Sequence, residues 1–263
     1  MKLEVLLATI DQTDDSVLDE MKLTTDVLVC NQNTDKTGYR TYTKNGYQVR
    51  WYDFQERGVG LNRNNALLRS TADICLLADD DVLYEEGYAQ TVLDAFEKYP
   101  KADMIIFNIY RANGEKRSNI RKKVRVRRHN CGKYGACRIA FRRMSVIKNA
   151  ITFNQLFGGG CMFTAGEDVL FTKDCVNKGL HVIAVPECIL RLVDKRPSTW
   201  FTGHNQKFYE DFGSGYYSNF GCLAGIATFV QLIRRRKKML GDYPFWKAWK
   251  HARVGIKKYK NLR

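Results

Sequence analysis

The chain has 263 residues, 44% of them hydrophobic and 12% aromatic, which excludes a disordered chain and suffices for one large α/β domain or two smaller ones. Its net charge of +15 favours polyanionic partners, whether nucleic acid, anionic lipid headgroups or phosphorylated substrates. Eight cysteines are scattered without a CxxC pair, several inside apolar runs, as expected of thiols acting as small hydrophobes in a reducing cytosol.

The first residues, Leu3-Glu4-Val5-Leu6-Leu7, already read as a strand, without the basic and apolar regions of a secretory signal. No run reaches the roughly 20 apolar residues of a membrane-spanning helix. Short apolar runs predict strands over 3–9, 26–30, 47–52, 73–78 and 103–109. Helical spacing over 62–70 and 86–99, the second closed by Pro100, alternates with them, as in βα units on a largely parallel sheet.

The fourth strand stops abruptly at Asp79, Asp80 and Asp81. Charge clustered there is either solvated or paired with something positive, and the carboxyl edge of an open α/β sheet is where ligands bind. Two carboxylates one residue apart can share Mg²⁺ or Mn²⁺. Such an ion completes its shell with water and phosphate oxygens, which points to a nucleotide diphosphate or triphosphate whose leaving group it would neutralise. A plain acidic surface turn gives the same three letters.

From 110 to 148 the chain is strongly basic, with Glu115 as its one acid, and reads as a surface arm or an anion-binding segment. Phe157-Gly158-Gly159-Gly160 is backbone able to approach a ligand closely, and Gly166-Glu167-Asp168 opens an amphipathic helix ending near Lys178-Gly179. Acids in a first helical turn also suit the macrodipole, so a structural cap is the plain alternative. A strand is predicted over 181–185. The tail holds the apolar stretch 220–233, then Arg234-Arg235-Arg236-Lys237-Lys238, then an aromatic and basic segment. This pattern fits a membrane surface or a buried helix with a solvated basic end.

Taken together, ADDDV at 78–82, GVGLNRNNAL at 58–67, GGG at 158–160 and GEDVLFTKDCVNKGL at 166–180 resemble the family 2 glycosyltransferases, over roughly residues 1–200. The resemblance implies a GT-A fold, a Rossmann-like mixed sheet flanked by helices, in a catalytic domain of residues 1–200. Residues 1–110 would be its nucleotide-sugar half and 111–200 its acceptor half. Residues 201–263 would form a basic membrane-associating extension. It further implies an inverting transfer from a nucleotide-diphosphate sugar, UDP by expectation, to a glycan hydroxyl in capsule, exopolysaccharide or lipopolysaccharide synthesis. The acceptor could be a sugar on a lipid diphosphate at the inner membrane face.

By the same resemblance Asp168 is the catalytic base, and Glu167, Gly159 and Gly160 face the acceptor. Asp79 and Asp81 form the DxD motif that binds Mn²⁺ or Mg²⁺, with Asp79 also near the donor. Asp80 is a donor contact or a solvated neighbour. Arg63 and Asn64 belong to the donor side, as do Thr9, Asp11 and Asn31, which stand where the family usually has Pro-x-Tyr-Asn and an acidic pair. An Asn amide could still bond a uracil edge. His204 or Asp194 could supply a further metal ligand.

Two other classes compete. A nucleic-acid-binding protein would use the charge, but no such motif is present and the basic residues lack interleaved stacking aromatics. A sugar-phosphate nucleotidyltransferase would want a glycine-rich, lysine-bearing loop where this chain has ATIDQTDD. His129, Cys131 and Cys137 lack a fourth zinc ligand. Trp51, Trp200, Trp246 and Trp249 serve as core or interface residues as readily as sugar platforms.

Overall fold

The computed structural model describes residues 1–116, 120–193 and 203–262, apart from the side chain of Lys238. Asp194, Trp200 and Arg117 lie outside the described residues. Its strands are β1 (Leu3–Ile10), β2 (Val27–Gln32), β3 (Gly38–Lys44), β4 (Tyr47–Phe54), β5 (Ile74–Asp79), β6 (Val82–Tyr84), β7 (Met104–Tyr110), β8 (Val124–Arg125), β9 (Ile139–Arg142) and β10 (Val182–Leu192). The helices are α1 (Ser16–Glu20), α2 (Val59–Arg69), α3 (Tyr88–Lys98), α4 (Arg143–Lys148), α5 (Glu167–Asn177), α6 (Gln206–Phe220), α7 (Ala224–Arg234), α8 (Arg236–Met239) and α9 (Phe245–Lys260).

The strands form one mixed sheet in the order β3-β4-β2-β1-β5-β9-β7-β10-β6, with β8 pairing β10. β4, β2, β1 and β5 run parallel, so their carboxyl ends share one edge. β1, β2 and β5 are almost wholly buried because helices cover both faces, which is why they read as unbroken apolar runs. One core layer packs α1 and α3 against the sheet through residues such as Leu18, Val92 and Phe96. The opposite layer uses Leu67 of α2, Val146 of α4 and Phe171 of α5.

Several elements differ from the sequence expectation, among them β3, β9 and β10. β3, which was not expected, pairs antiparallel with β4 across Asn45-Gly46, both at positive φ (47° and 87°), the conformation that a two-residue hairpin turn needs. β9 arises inside the basic stretch and lies antiparallel between β5 and β7. That stretch is therefore not one solvated arm: Arg138 is buried, and Arg142 donates to the Ala102, Phe96 and Pro100 carbonyls. β10 runs well past 185, with its register shifting between Ala184 and Cys188, around Pro186, which lacks the donor a regular ladder requires.

The last four helices pack on one another and back onto the α/β layers. α6 and α9 cross backbone to backbone: an added Cβ would meet the Ala252 carbonyl oxygen at 1.9 Å from Gly213 and the Glu210 carbonyl oxygen at 1.8 Å from Gly255. Tyr259 of α9 sits edge-on to Phe157 and Phe163, at 5.2 and 5.6 Å between ring centroids. Asp211 of α6 accepts from the Thr164 backbone N–H and hydroxyl, and Lys173 of α5 donates to the Ser218 and Asn219 carbonyls near the C-terminus of α6.

A methyl group at either crossing glycine would force the helices apart. Gly255→Ala should cost about 1–3 kcal/mol, read as a lower thermal midpoint. Gly159→Ala, which meets nothing within 4 Å, should melt near the wild-type temperature.

Candidate active site

The site is organised by the first turns of α2. Gly58 precedes the helix at φ 118°, and the Val59 N–H donates to the Gly159 carbonyl at 3.0 Å, so an otherwise orphaned helix donor is satisfied by the glycine run. Successive residues turn by about 100° around a helix, and here each reaches a different element. Asn62 donates to the Thr9 and Cys30 carbonyls of β1 and β2. Arg63 points to β5 and α5. The Asn64 amide donates to the Phe153 carbonyl and accepts its N–H, tying α2 to the loop before the glycines. Asn65 donates to Glu56.

Arg63 is 3% exposed and bridges two acids from distant parts of the chain, Asp79 Oδ1 at 2.6 Å and Glu167 Oε1 at 2.5 Å. Burial by itself would weaken its charge, but the carboxylates of Asp79, Glu167 and Asp168 reverse that effect and raise its pKa. The expected DxD end of β5 and the expected acceptor helix α5 are thus joined through one guanidinium. Glu167 itself is buried and already paired. Gly158, at φ 106°, lies so close that an added Cβ would stand 2.7 Å from Glu167 Oε2 and 2.3 Å from Val59. The glycine run therefore packs on the start of α2 and on Glu167, with Gly159 half-buried and Gly160 exposed.

Asp168 follows Glu167 in the first turn of α5, its Oδ1 accepting the Val169 N–H at 2.7 Å. Desolvation and then the Glu167 charge push its pKa up to about 7, against the opposing pull of Arg63. Gly135 lies against its other oxygen, where an added Cβ would be 3.7 Å away. A carboxyl poised near neutrality has the proton affinity of a general base.

The carboxyl ends of β1, β2 and β4 form the remaining wall. Thr9 donates to Asp80 Oδ2 at 2.6 Å, joined by Gln12, so Asp80 is a buried brace between β1 and β5 and not a solvated neighbour. The Asn31 amide is committed internally, donating to the Gln12 carbonyl and to Asp53 Oδ1 and accepting the Gln12 N–H. Asp53, beside Asn31 in the ladder, also accepts from Trp51 and Arg40. The acid absent from the end of β2 is thus present one strand over. Asp11, at φ 53°, pairs with Arg57 at 3.0 Å on the exposed rim. Asp53, Gln12 and Arg57 were not anticipated; the parallel register, which places Asp53 level with Asn31, was the one signal available.

Asp79 and Asp81 flank the turn after β5. Arg63 engages one Asp79 oxygen. Among the described residues no group of three or more His, Cys, Asp or Glu side chains could by itself hold a metal. The ring of His204 lies against Phe208 and Tyr209 of α6, at 5.1 and 6.5 Å between centroids. Two hard carboxylates fit a divalent cation whose other ligands are water and a diphosphate.

Residues 4–170 match the family described as Glycosyl transferase family 2. No protein among those of curated function matches significantly. Among solved structures, residues 1–349 of S. aureus TarS in complex with UDP-GlcNAc share 14% identity at a TM-score of 0.65, covering 100% of this chain and 90% of that one. The same TarS fragment with UDP gives 12% identity and 0.58, covering 100% and 92%. S. aureus TarS in a longer form gives 14% and 0.58, with this chain spanning 55% of it. At these identities the structural likeness establishes the GT-A fold.

Removing the bridge strands two acids: Arg63→Ala should lower stability by about 3–5 kcal/mol in urea unfolding. Arg63→Lys should recover little, because one ammonium lacks the fork that spans both carboxylates. Asp168 carries its proton when folded at pH values where an unfolded aspartate, near 3.9, has lost it. The folded chain therefore binds more protons between about 4 and 7, and this group's contribution falls as pH rises through that window. Without divalent cations, Asp168→Asn should melt above wild type at pH 8 and close to it at pH 4. Equal differences at both pH values would contradict the raised pKa.

Proposed function

The chain belongs to glycosyl transferase family 2, and we propose that it moves a sugar from a UDP-sugar to a hydroxyl of a cell-surface glycan, inverting the anomeric centre. The family membership makes it a glycosyltransferase using a nucleotide sugar and favours this reading over the nucleic-acid-binding and nucleotidyltransferase alternatives. The observation that carries the reading is the Arg63 bridge, which holds the acidic end of β5 against the helix bearing Glu167 and Asp168. The relative TarS has been seen with UDP-GlcNAc. That supports a uridine nucleotide, whose base would lie over the carboxyl ends of β1, β2 and β4, where Asn31 and Asp53 brace each other.

In this reading Asp168 removes the proton from the acceptor hydroxyl as its oxygen attacks the anomeric carbon. The carbon–oxygen bond to the diphosphate breaks with its electron pair passing to the diphosphate, and Asp168 later yields its proton to solvent. Attack from the face opposite the leaving group inverts the centre. A Mn²⁺ or Mg²⁺ ion held by Asp79 and Asp81 would neutralise the departing diphosphate. Glu167, paired with Arg63, orients the acceptor side, while Gly159 and Gly160 leave room for a sugar. The cytoplasmic membrane face is the proposed place of work, with a lipid-diphosphate glycan as acceptor.

Ligand binding raises the melting temperature of the folded state, so a screen of nucleotide sugars with and without Mn²⁺ tests the donor. UDP-sugars should give the largest shift, and Asp81→Ala should lose its Mn²⁺-dependent part. Asp168→Asn should bind donor as wild type yet transfer at least about a hundredfold more slowly. For the wild type, kcat/KM should climb as pH rises through about 7. Transfer by Asp168→Asn at the wild-type rate would remove the base assignment.

A further inference from the structure

We infer that the outward face of α7, with the basic turn after it, is a docking surface for an anionic lipid bilayer; its role there rests on the glycosyltransferase reading above. The inward face of α7 is Ala224, Thr228 and Leu232, buried against α6 and α9. The outward face is also apolar: Leu223, Ile226, Val230 and Ile233 are exposed, Ile226 to 69%. On a helical wheel these four fall within a sector about 80° wide, opposite the buried three. Between Ala224 and Ile233 the polar side chains are Thr228, which is buried, and Gln231. A helix with only water outside would carry charge on that face.

Its surroundings say what covers it. Trp246, 70% exposed, stands beside Phe229 with ring centroids 6.3 Å apart, adding an amphipathic ring of the kind enriched at bilayer interfaces. At the end of the helix, Arg234, Arg235, Arg236 and Lys237 are all exposed and, with Ile233, line an open hollow of about 470 Å³. From 203 to 262 there are twelve Lys and Arg against three acids, and two of those acids are engaged, Glu210 by Gln206 and Asp211 by Lys207. An apolar stripe edged by cations is complementary to acyl chains beneath anionic headgroups. A second copy of the chain would bring like charge against like, and a nucleic acid would leave the stripe unused. Among the described residues no helix is long and apolar enough to cross a membrane. α7, with 11 residues, would therefore lie in the interface plane.

The test is sedimentation of the full chain with vesicles of phosphatidylcholine alone and of equimolar phosphatidylcholine and phosphatidylglycerol. The wild type should sediment with the anionic vesicles, increasingly released by salt, and remain in solution with the neutral ones. Ile226→Asp combined with Val230→Asp, and separately Arg235→Glu combined with Lys237→Glu, should each lower the partition coefficient by about tenfold or more. Both variants should keep the wild-type melting shift with UDP-sugar, which shows the fold and donor site intact. Failure of the wild type to bind anionic vesicles, or binding by both variants at the wild-type level, would overturn the inference. So would a lipid-free dimer, seen by sedimentation velocity, that Ile226→Asp converts to monomer. Vesicle binding by a chain that no nucleotide sugar stabilises would uphold the surface and sink the donor reading.

Discussion

One buried guanidinium decides whether this protein has a site. Arg63 is taken out of water, a cost that a lone cation could not sustain, and the carboxylates of Asp79 and Glu167 offset it only if both are close. The same geometry forces the end of β5 and the start of α5 together, although Arg63 and Glu167 stand 104 residues apart in sequence. Asp168 feels the consequence: crowded by Glu167 and sheltered from water, it becomes a weaker acid than an exposed aspartate, in spite of Arg63. Stability and reactivity at this position therefore arise from one arrangement.

Much of the architecture could be read from the sequence because burial on both faces leaves an unmistakable signature in β1, β2 and β5. Where burial is one-sided the signature fades. β3 alternates exposed and half-exposed residues at the sheet edge, and its evidence was the Asn45-Gly46 dipeptide, a turn signal and not a strand signal. β9 hides among arginines because a four-residue strand has no room for a pattern. The acids of the site were legible from type and position, since clustered carboxylates after an apolar strand or at a helix start demand a reason. Their partners were not. That Asn64 clamps Phe153, that Asn31 is spent on Gln12 and Asp53, and that Asp80 braces Thr9 all depend on which elements the fold sets side by side.

The C-terminal helices extend the same logic. Asp211 fixes Thr164, Lys173 fastens the end of α6, and Tyr259 fills the aromatic pocket of Phe157 and Phe163, so the segment between the glycine run and α5 is braced from behind. Thr9, Asn31, Asp53 and Asp80 brace one another within the first 80 residues, whereas Glu167 and Asp168 stand on a helix fastened by the C-terminal segment.

The glycine crossing of α6 and α9 has a consequence for the order of synthesis. The β3-β4-β2-β1 part of the sheet can assemble as it emerges, since these strands pair with one another within the first 54 residues. The brace on Phe157 and Phe163 cannot, because Tyr259 is made about a hundred residues later, on the helix whose glycine crosses Gly213 of α6. A nascent chain would thus own the paired ends of β1, β2 and β4 before it owned a braced glycine run and α5, and would complete the brace only once α9 had left the ribosome.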